Sequence, residues 1–283
     1  MGLTGLYLLA ALPAAAAGAA RSGSGVALAV THTAAMLALL WLARRPAAEG
    51  WPALWLPLLA IPVLYWEIPL INQTLTAGYH DPVIVGWERA LFHAEPAREL
   101  AGALPFVWLS EPLHAAYLML YPLIYLPPLM LFVRRKKEAF RTTILGLMLA
   151  ALVCYLVFVY FPVQGPRYFG PPRGVPDGPV RRLALSVLER GSSRGAAFPS
   201  SHVGIMTAQS ILALVFQQRL GVAVSIITAA LAFGAVYGGF HYGLDALVGG
   251  CVGGVAAWGA LRIGRAEAST SVSRETAASD MAE

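Results

Sequence analysis

Two histidines and one arginine in this chain have the types and spacing that phosphorus chemistry needs. His241 opens the run His241-Tyr242-Gly243-Leu244-Asp245. His241 and Asp245 are four residues apart, so they share a face if a helix starts near His241. A carboxylate there can hold the imidazole N–H, fix its tautomer and stabilise positive charge as it develops. That arrangement suits a histidine nucleophile. The plainer alternative is an interfacial histidine beside a helix-capping acid.

His202 closes Phe198-Pro199-Ser200-Ser201-His202. Pro and Ser read as a helix start, with Ser200 or Ser201 as N-cap. Free N–H groups at such a terminus bind phosphate, and a histidine beside them could protonate a leaving oxygen. A simple cap at a membrane interface is the other reading. Arg167 lies in Phe161-Pro162-Val163-Gln164-Gly165-Pro166-Arg167-Tyr168. Its guanidinium matches phosphate oxygens in bidentate fashion; the alternative is an arginine that merely snorkels.

The elements that must position these groups are membrane helices. The chain of 283 residues is 58% hydrophobic and 12% charged, with a mean hydropathy of +0.64, outside the range of ordinary soluble domains. Backbone polar groups must be paired inside a bilayer, which favours helices, and the alternation a membrane barrel needs is absent. We therefore expect an all-α, polytopic transmembrane bundle. Eight spans are expected, at about 4–20, 26–43, 52–71, 112–133, 141–161, 201–217, 220–240 and 243–262, with a six-helix catalytic core. A signal peptide is the alternative for the first, but it lacks a positive n-region.

The sixth and seventh spans form a hairpin turned at Gln217-Gln218-Arg219, which brings His202 and His241 to one membrane face. Arg167, where the fifth span exits, and Asp245 reach the same face. The imidazoles should then flank one cavity, roughly 5–8 Å apart, with a phosphoryl group between them. Arg44-Arg45, Arg134 to Lys137, Arg219 and Arg262/Arg265 fall on the opposite side, which is cytoplasmic by the positive-inside tendency. The site then faces outward from a plasma or inner membrane. Two long connections share that side: 72–111, with an interfacial helix around Asp81–Phe92, and 162–200, which holds Arg167, Arg173, Arg181, Arg182, Arg190 and Arg194. Residues 1–71 are expected to be N-terminal transmembrane helices, 72–265 the membrane domain that carries the site, and 266–283 a small polar cytoplasmic tail expected to be disordered. The net charge of +5 fits loop topology, not nucleic acid, since no basic stripe with interleaved aromatics exists. Cys154 and Cys251 lie within spans and read as apolar filler.

On these motifs the chain resembles the type-2 phosphatidic acid phosphatase superfamily. Phe198 to His202 and His241 to Asp245 resemble its second and third signatures. Gly165-Pro166-Arg167-Tyr168 resembles the variant first signature of the inositolphosphotransferase-like branch, which includes inositol phosphorylceramide synthases. The stretch from Asp81 through Leu91-Phe92 to Tyr117, Tyr121 and Pro122 is similar to that branch as well. The resemblance implies a lipid phosphate or phospholipid substrate taken from the bilayer, and a metal-independent reaction with no cofactor. It implies that His241 attacks phosphorus, Asp245 orients it, and His202 protonates the departing oxygen and then activates water or an alcohol. Arg167 would clamp phosphoryl oxygens, and backbone N–H groups near Ser200 and Ser201 would help hold the transition state.

The sequence departs from the family pattern at its cations. Tyr160 stands at the usual Lys of the first signature and Tyr168 at its Pro. Gly234 and Ala235 stand where the third signature has Ser-Arg, Gly239 where the branch often has Arg, and Ser201 where the second has Gly. Arg194 or Arg173, reaching in from the loop, could supply the missing charge. A membrane lipid binder, scaffold or transporter with an outward anion site remains the alternative class. His114, Glu111 and Glu67 near span ends read as interfacial groups. His80-Asp81 has no further ligands at metal spacing. Tyr117, Tyr121 and Tyr125 recur at i+4, which reads as packing or an interfacial belt rather than a substrate platform.

Overall fold

The computed structural model describes residues 2–19, 30, 32–34, 51–170 and 174–280. Most of the span expected at 26–43, Arg44-Arg45 and Arg173 lie outside the described residues. The described residues form helices joined by loops, as expected of an all-α chain, and an isolated bridge between Val163 and Ala196 is the one strand-like pairing among them.

Among the described residues twelve α-helices have defined bounds, in order: α1 Gly2–Ala19, α2 Trp51–Ile71, α3 Asp81–Phe92, α4 Pro96–Ala103, α5 Val107–Leu118, α6 Leu120–Leu123, α7 Leu126–Val133, α8 Lys137–Tyr160, α9 Pro179–Gly191, α10 Ser201–Phe216, α11 Gln218–Tyr237 and α12 Gly243–Asp280. Among the described residues, five stretches are long and apolar enough to cross a membrane: Leu54–Ile71, Val107–Val133, Lys137–Tyr160, Gln218–Tyr237 and Gly243–Glu267. Leu3–Gly18 and Ser201–Phe216 are shorter apolar helices.

The fourth expected span is three helices laid end to end, and prolines explain the breaks. A proline ring collides with the carbonyl four residues earlier. Pro122 acts on Leu118, while Pro127 and Pro128 act on Leu123 and Ile124. The interruptions fall at Met119 and at Ile124-Tyr125. At the chain's other end, α12 runs on to Asp280. The composition of 266–283 suggested disorder, but a long apolar helix already nucleated upstream adds further turns at little cost.

Helix α8 packs against α1, α2, α7, α10 and α12; α10 also packs on α11 and α12. The α10–α12 crossing is close because Gly249 and Gly253 face the carbonyl oxygens of Ser200 and Gly204. A Cβ at either glycine would collide with those oxygens, so small residues set the approach. The bundle has two distinct ends. Tyr160, Ser201, Tyr237 and Gly243, the termini of α8, α10, α11 and α12, meet at one end. The basic turn Arg134 to Lys136 leads into α8 at the other, where Thr142 lies beside Gly264 of α12.

Candidate active site

Three loops close the first of these ends: 161–170, 192–200 and 238–242. Backbone bonds knit them together. Ala197 N–H donates to Val163 O at 2.9 Å, Val163 N–H to Gly195 O at 3.2 Å, and Ser200 N–H to Asp245 O at 2.9 Å. Gly165 turns the first loop at φ +94°, in the left-handed region that excludes most side chains. Ser200 caps α10, its hydroxyl accepting from Val203 N–H at 3.4 Å. Ser201 is buried in the first turn.

The two imidazole rings lie 6.0 Å apart, centroid to centroid, with their planes at 55°. Both are walls of one small cavity with Arg167, Gln164, Ser192 and Phe240. His241 Nδ1 lies 3.0 Å from the Ala197 carbonyl. A carbonyl only accepts, so Nδ1 carries the proton and Nε2 keeps its lone pair. Asp245 stands further off, with Oδ2 at 3.5 Å from Nδ1. Its shorter bond, 2.8 Å, is accepted from Tyr242 N–H. The backbone of Ala197, more than Asp245, therefore holds the tautomer. Burial pushes the His241 imidazole down to about 4; the Ala197 bond opposes this and the Arg167 charge adds to it. His202 stacks on Tyr117 at 4.9 Å and 13°.

Arg167 donates to the hydroxyls of Tyr168, at 2.6 Å, and Ser192. The Arg194 guanidinium lies 5.2 Å from the Tyr168 ring and 5.3 Å from that of Tyr79. Arg194 is thus a neighbour of Tyr168 but not a wall of the histidine cavity.

A second layer was not legible in the motifs. Asp81, at the start of α3, is buried and accepts three bonds: Gln164 N–H and Gly165 N–H at 2.9 Å each, and the Tyr242 hydroxyl at 3.0 Å. It ties the Arg167 loop to the His241 loop. His80 stacks on Phe161 at 4.2 Å. Glu88, one face of α3 further along, accepts from Gly243 and Leu244 N–H and so caps α12. Burial pushes its carboxyl up to about 7, with the charges of Asp245 and Glu95 adding and the two N–H bonds opposing. The signal was present: Asp81, Ile84 and Glu88 recur at one helical face, and two acids on an apolar face need buried partners. Among the described residues no cluster of three or more His, Cys, Asp or Glu is placed to hold a metal.

These motifs have a match. The sequence profile of the PAP2 superfamily fits residues 83–259, more than half of the chain. The chain belongs to the PAP2 superfamily. Comparison with curated proteins and with solved structures gave no match. The superfamily profile covers Arg167, His202, His241 and Asp245 and begins after α2. Other polar groups noted in the sequence do structural work around this PAP2 core. Glu111 accepts from Val180 and Arg181 N–H and caps α9. Glu67 pairs with His32. His114 binds the Ser110 carbonyl at 2.6 Å.

Proposed function

We propose that this PAP2 protein is an integral-membrane phosphoesterase or phosphotransferase that acts on a lipid phosphate through a phosphohistidine. The supporting observation is the pair of imidazoles on one cavity with Arg167, one of them held with Nε2 unprotonated. Nε2 of His241 attacks phosphorus, an N–P bond forms and the ester P–O bond breaks. His202 gives the leaving oxygen its proton. A bound phosphate beside that ring favours its protonated form. His202 then takes a proton from the incoming hydroxyl, which attacks phosphorus and releases His241. The cavity holds about 20 Å³, about one water, so phosphate entry requires side chains to give way. Arg167 exchanges the Ser192 and Tyr168 hydroxyls for phosphoryl oxygens, and Arg194 or Arg173 adds charge from the loop.

Water as acceptor makes the protein a lipid phosphatase. The Gly165-Pro166-Arg167-Tyr168 run favours a second version, transfer to an alcohol such as inositol. The purified protein is incubated with radiolabelled lipid phosphates and phosphodiesters, with and without candidate alcohols, and phosphate and lipid products are both followed. Release of phosphate alone establishes hydrolysis; a new phosphodiester establishes transfer; no turnover across the panel removes the enzyme reading in favour of a lipid binder. Turnover is expected to persist in EDTA.

A further inference from the structure

The His202 imidazole belongs to two cavities at once. Beyond the small polar one lies an apolar cavity of about 240 Å³, and the two share Tyr65, Leu188, Ser192 and His202 as walls. One wall is α2, through Ile61, Pro62, Tyr65 and Trp66. The facing wall carries Leu120, Tyr121, Ile124 and Tyr125, with Tyr155 behind. The tyrosine row of the sequence therefore runs from His202, where Tyr117 stacks, into this space. Its polar groups gather at the histidine end, in Ser192, Ser201 and His202. At the rim Trp66 is 67% exposed and Tyr121 44% exposed, while Ile61 inside is 3% exposed. The space is thus greasy along its length, polar at one end and open at its edge.

We propose that this cavity is the binding site for the first part of the substrate's hydrocarbon chain, and that α2 selects among chains. The inference rests on the lipid-phosphate reading and adds the chain site and its selector to it. A phosphate between the histidines places the carbons of its ester beside His202, which opens directly into the cavity. Helix α2 lies ahead of residues 83–259, the superfamily match, so this wall is supplied by a segment outside the shared core. It is nonetheless fastened to the site. Ser193 N–H donates to the Tyr65 hydroxyl at 3.2 Å, Ser193 Oγ donates to Tyr65 O at 2.9 Å, and Asn72 donates to Arg194 O at 2.8 Å.

The test compares hexadecyl phosphate with butyl phosphate, whose short chain scarcely enters the cavity. Ile61→Trp fills the space. It should lower kcat/KM for hexadecyl phosphate about tenfold and leave that for butyl phosphate within about twofold. Equal losses on both, or none on either, overturn the chain site. Trp66→Ala at the exposed rim is the second variant, should Ile61→Trp misfold. It should raise KM for hexadecyl phosphate about threefold at unchanged kcat, and an unchanged KM counts against the proposal. Binding is read separately with a diazirine-bearing hexadecyl phosphate on wild-type protein. Crosslinks within 51–71 support the site and crosslinks confined to other helices overturn it. If wild type turns over neither ester yet crosslinks in α2, the chain site stands and the phosphohistidine reaction falls.

Discussion

His241 owes its poise to a backbone atom. The Ala197 carbonyl accepts the Nδ1–H hydrogen bond at 3.0 Å, and Asp245, 3.5 Å from Nδ1, holds the loop through Tyr242 N–H. His241→Ala is therefore expected to abolish turnover, by about 10³-fold or more, with expression unchanged; acid-labile radiolabel on the protein should vanish with it. Asp245→Asn is expected to cost less, about 10–100-fold, because the tautomer has a second keeper. The pH profile follows from burial. With the imidazole pushed down to about 4 from 6.5, His241 stays neutral through the range in which a free histidine would charge. The acid limb of kcat/KM that belongs to His241 should lie below about pH 5; a limb between pH 6 and 7 that persists both with a phosphodiester substrate and in Glu88→Gln would mean that His241 is not the nucleophile. Stability has the matching sign. The unfolded chain takes up a proton below 6.5 that the folded chain refuses until about 4, so this group's contribution is lost as pH falls through that window. The histidines, Arg167 and Asp245 were legible because their side chains carry the chemistry in recognisable order. Ala197 was not, because any residue has a carbonyl and only the fold says which one arrives.

Helix α3 acts as a brace across the site. Its first residue, Asp81, joins two loops that are about 80 residues apart in sequence, between Gly165 and Tyr242. Asp81→Asn leaves one of three buried donors facing an NH₂ group. Such a mismatch costs about 1–3 kcal/mol, and thermal unfolding in detergent should register it together with a drop in kcat. Glu88 gives a pH signature of its own. Its carboxyl is pushed up to about 7 from 4.5, so the folded chain holds a proton that the unfolded chain has released between those values. Stability from this group therefore falls as pH rises through 4.5 to 7. Glu88→Gln keeps an oxygen for Gly243 N–H and should flatten that slope; an unchanged slope would show that another group causes it. The sequence places an interfacial helix around Asp81–Phe92, and α3 has those bounds. Its task was hidden because it acts across the chain, on loops that sequence spacing does not relate.

The described residues form a bundle with a histidine-bearing end and a basic end. Hydropathy made the spans legible, since a bilayer leaves few ways to satisfy a backbone. It left the proline breaks in Val107–Val133 and the continuation of α12 to Asp280 unread, because both depend on local cooperativity rather than on apolar content. Helix α10 has 16 residues, which at 1.5 Å each is roughly 24 Å, less than the ~30 Å of a bilayer core. We expect Arg219 at the cytoplasmic headgroups from the positive-inside tendency, and on that placement His202 falls short of the opposite headgroups, level with lipid ester carbons rather than in open water. That depth suits a substrate whose tail stays in the bilayer, and it fixes the orientation to be tested. In a Cys251→Ser background, Asp177→Cys in the site-side loop and Arg219→Cys in the α10–α11 turn are each exposed to a membrane-impermeant maleimide. In intact cells Asp177→Cys should label and Arg219→Cys should label only after permeabilisation. The reverse pattern would place the histidines on the cytoplasmic face, and labelling of both in intact cells would mean that the two ends do not lie on opposite sides of the membrane.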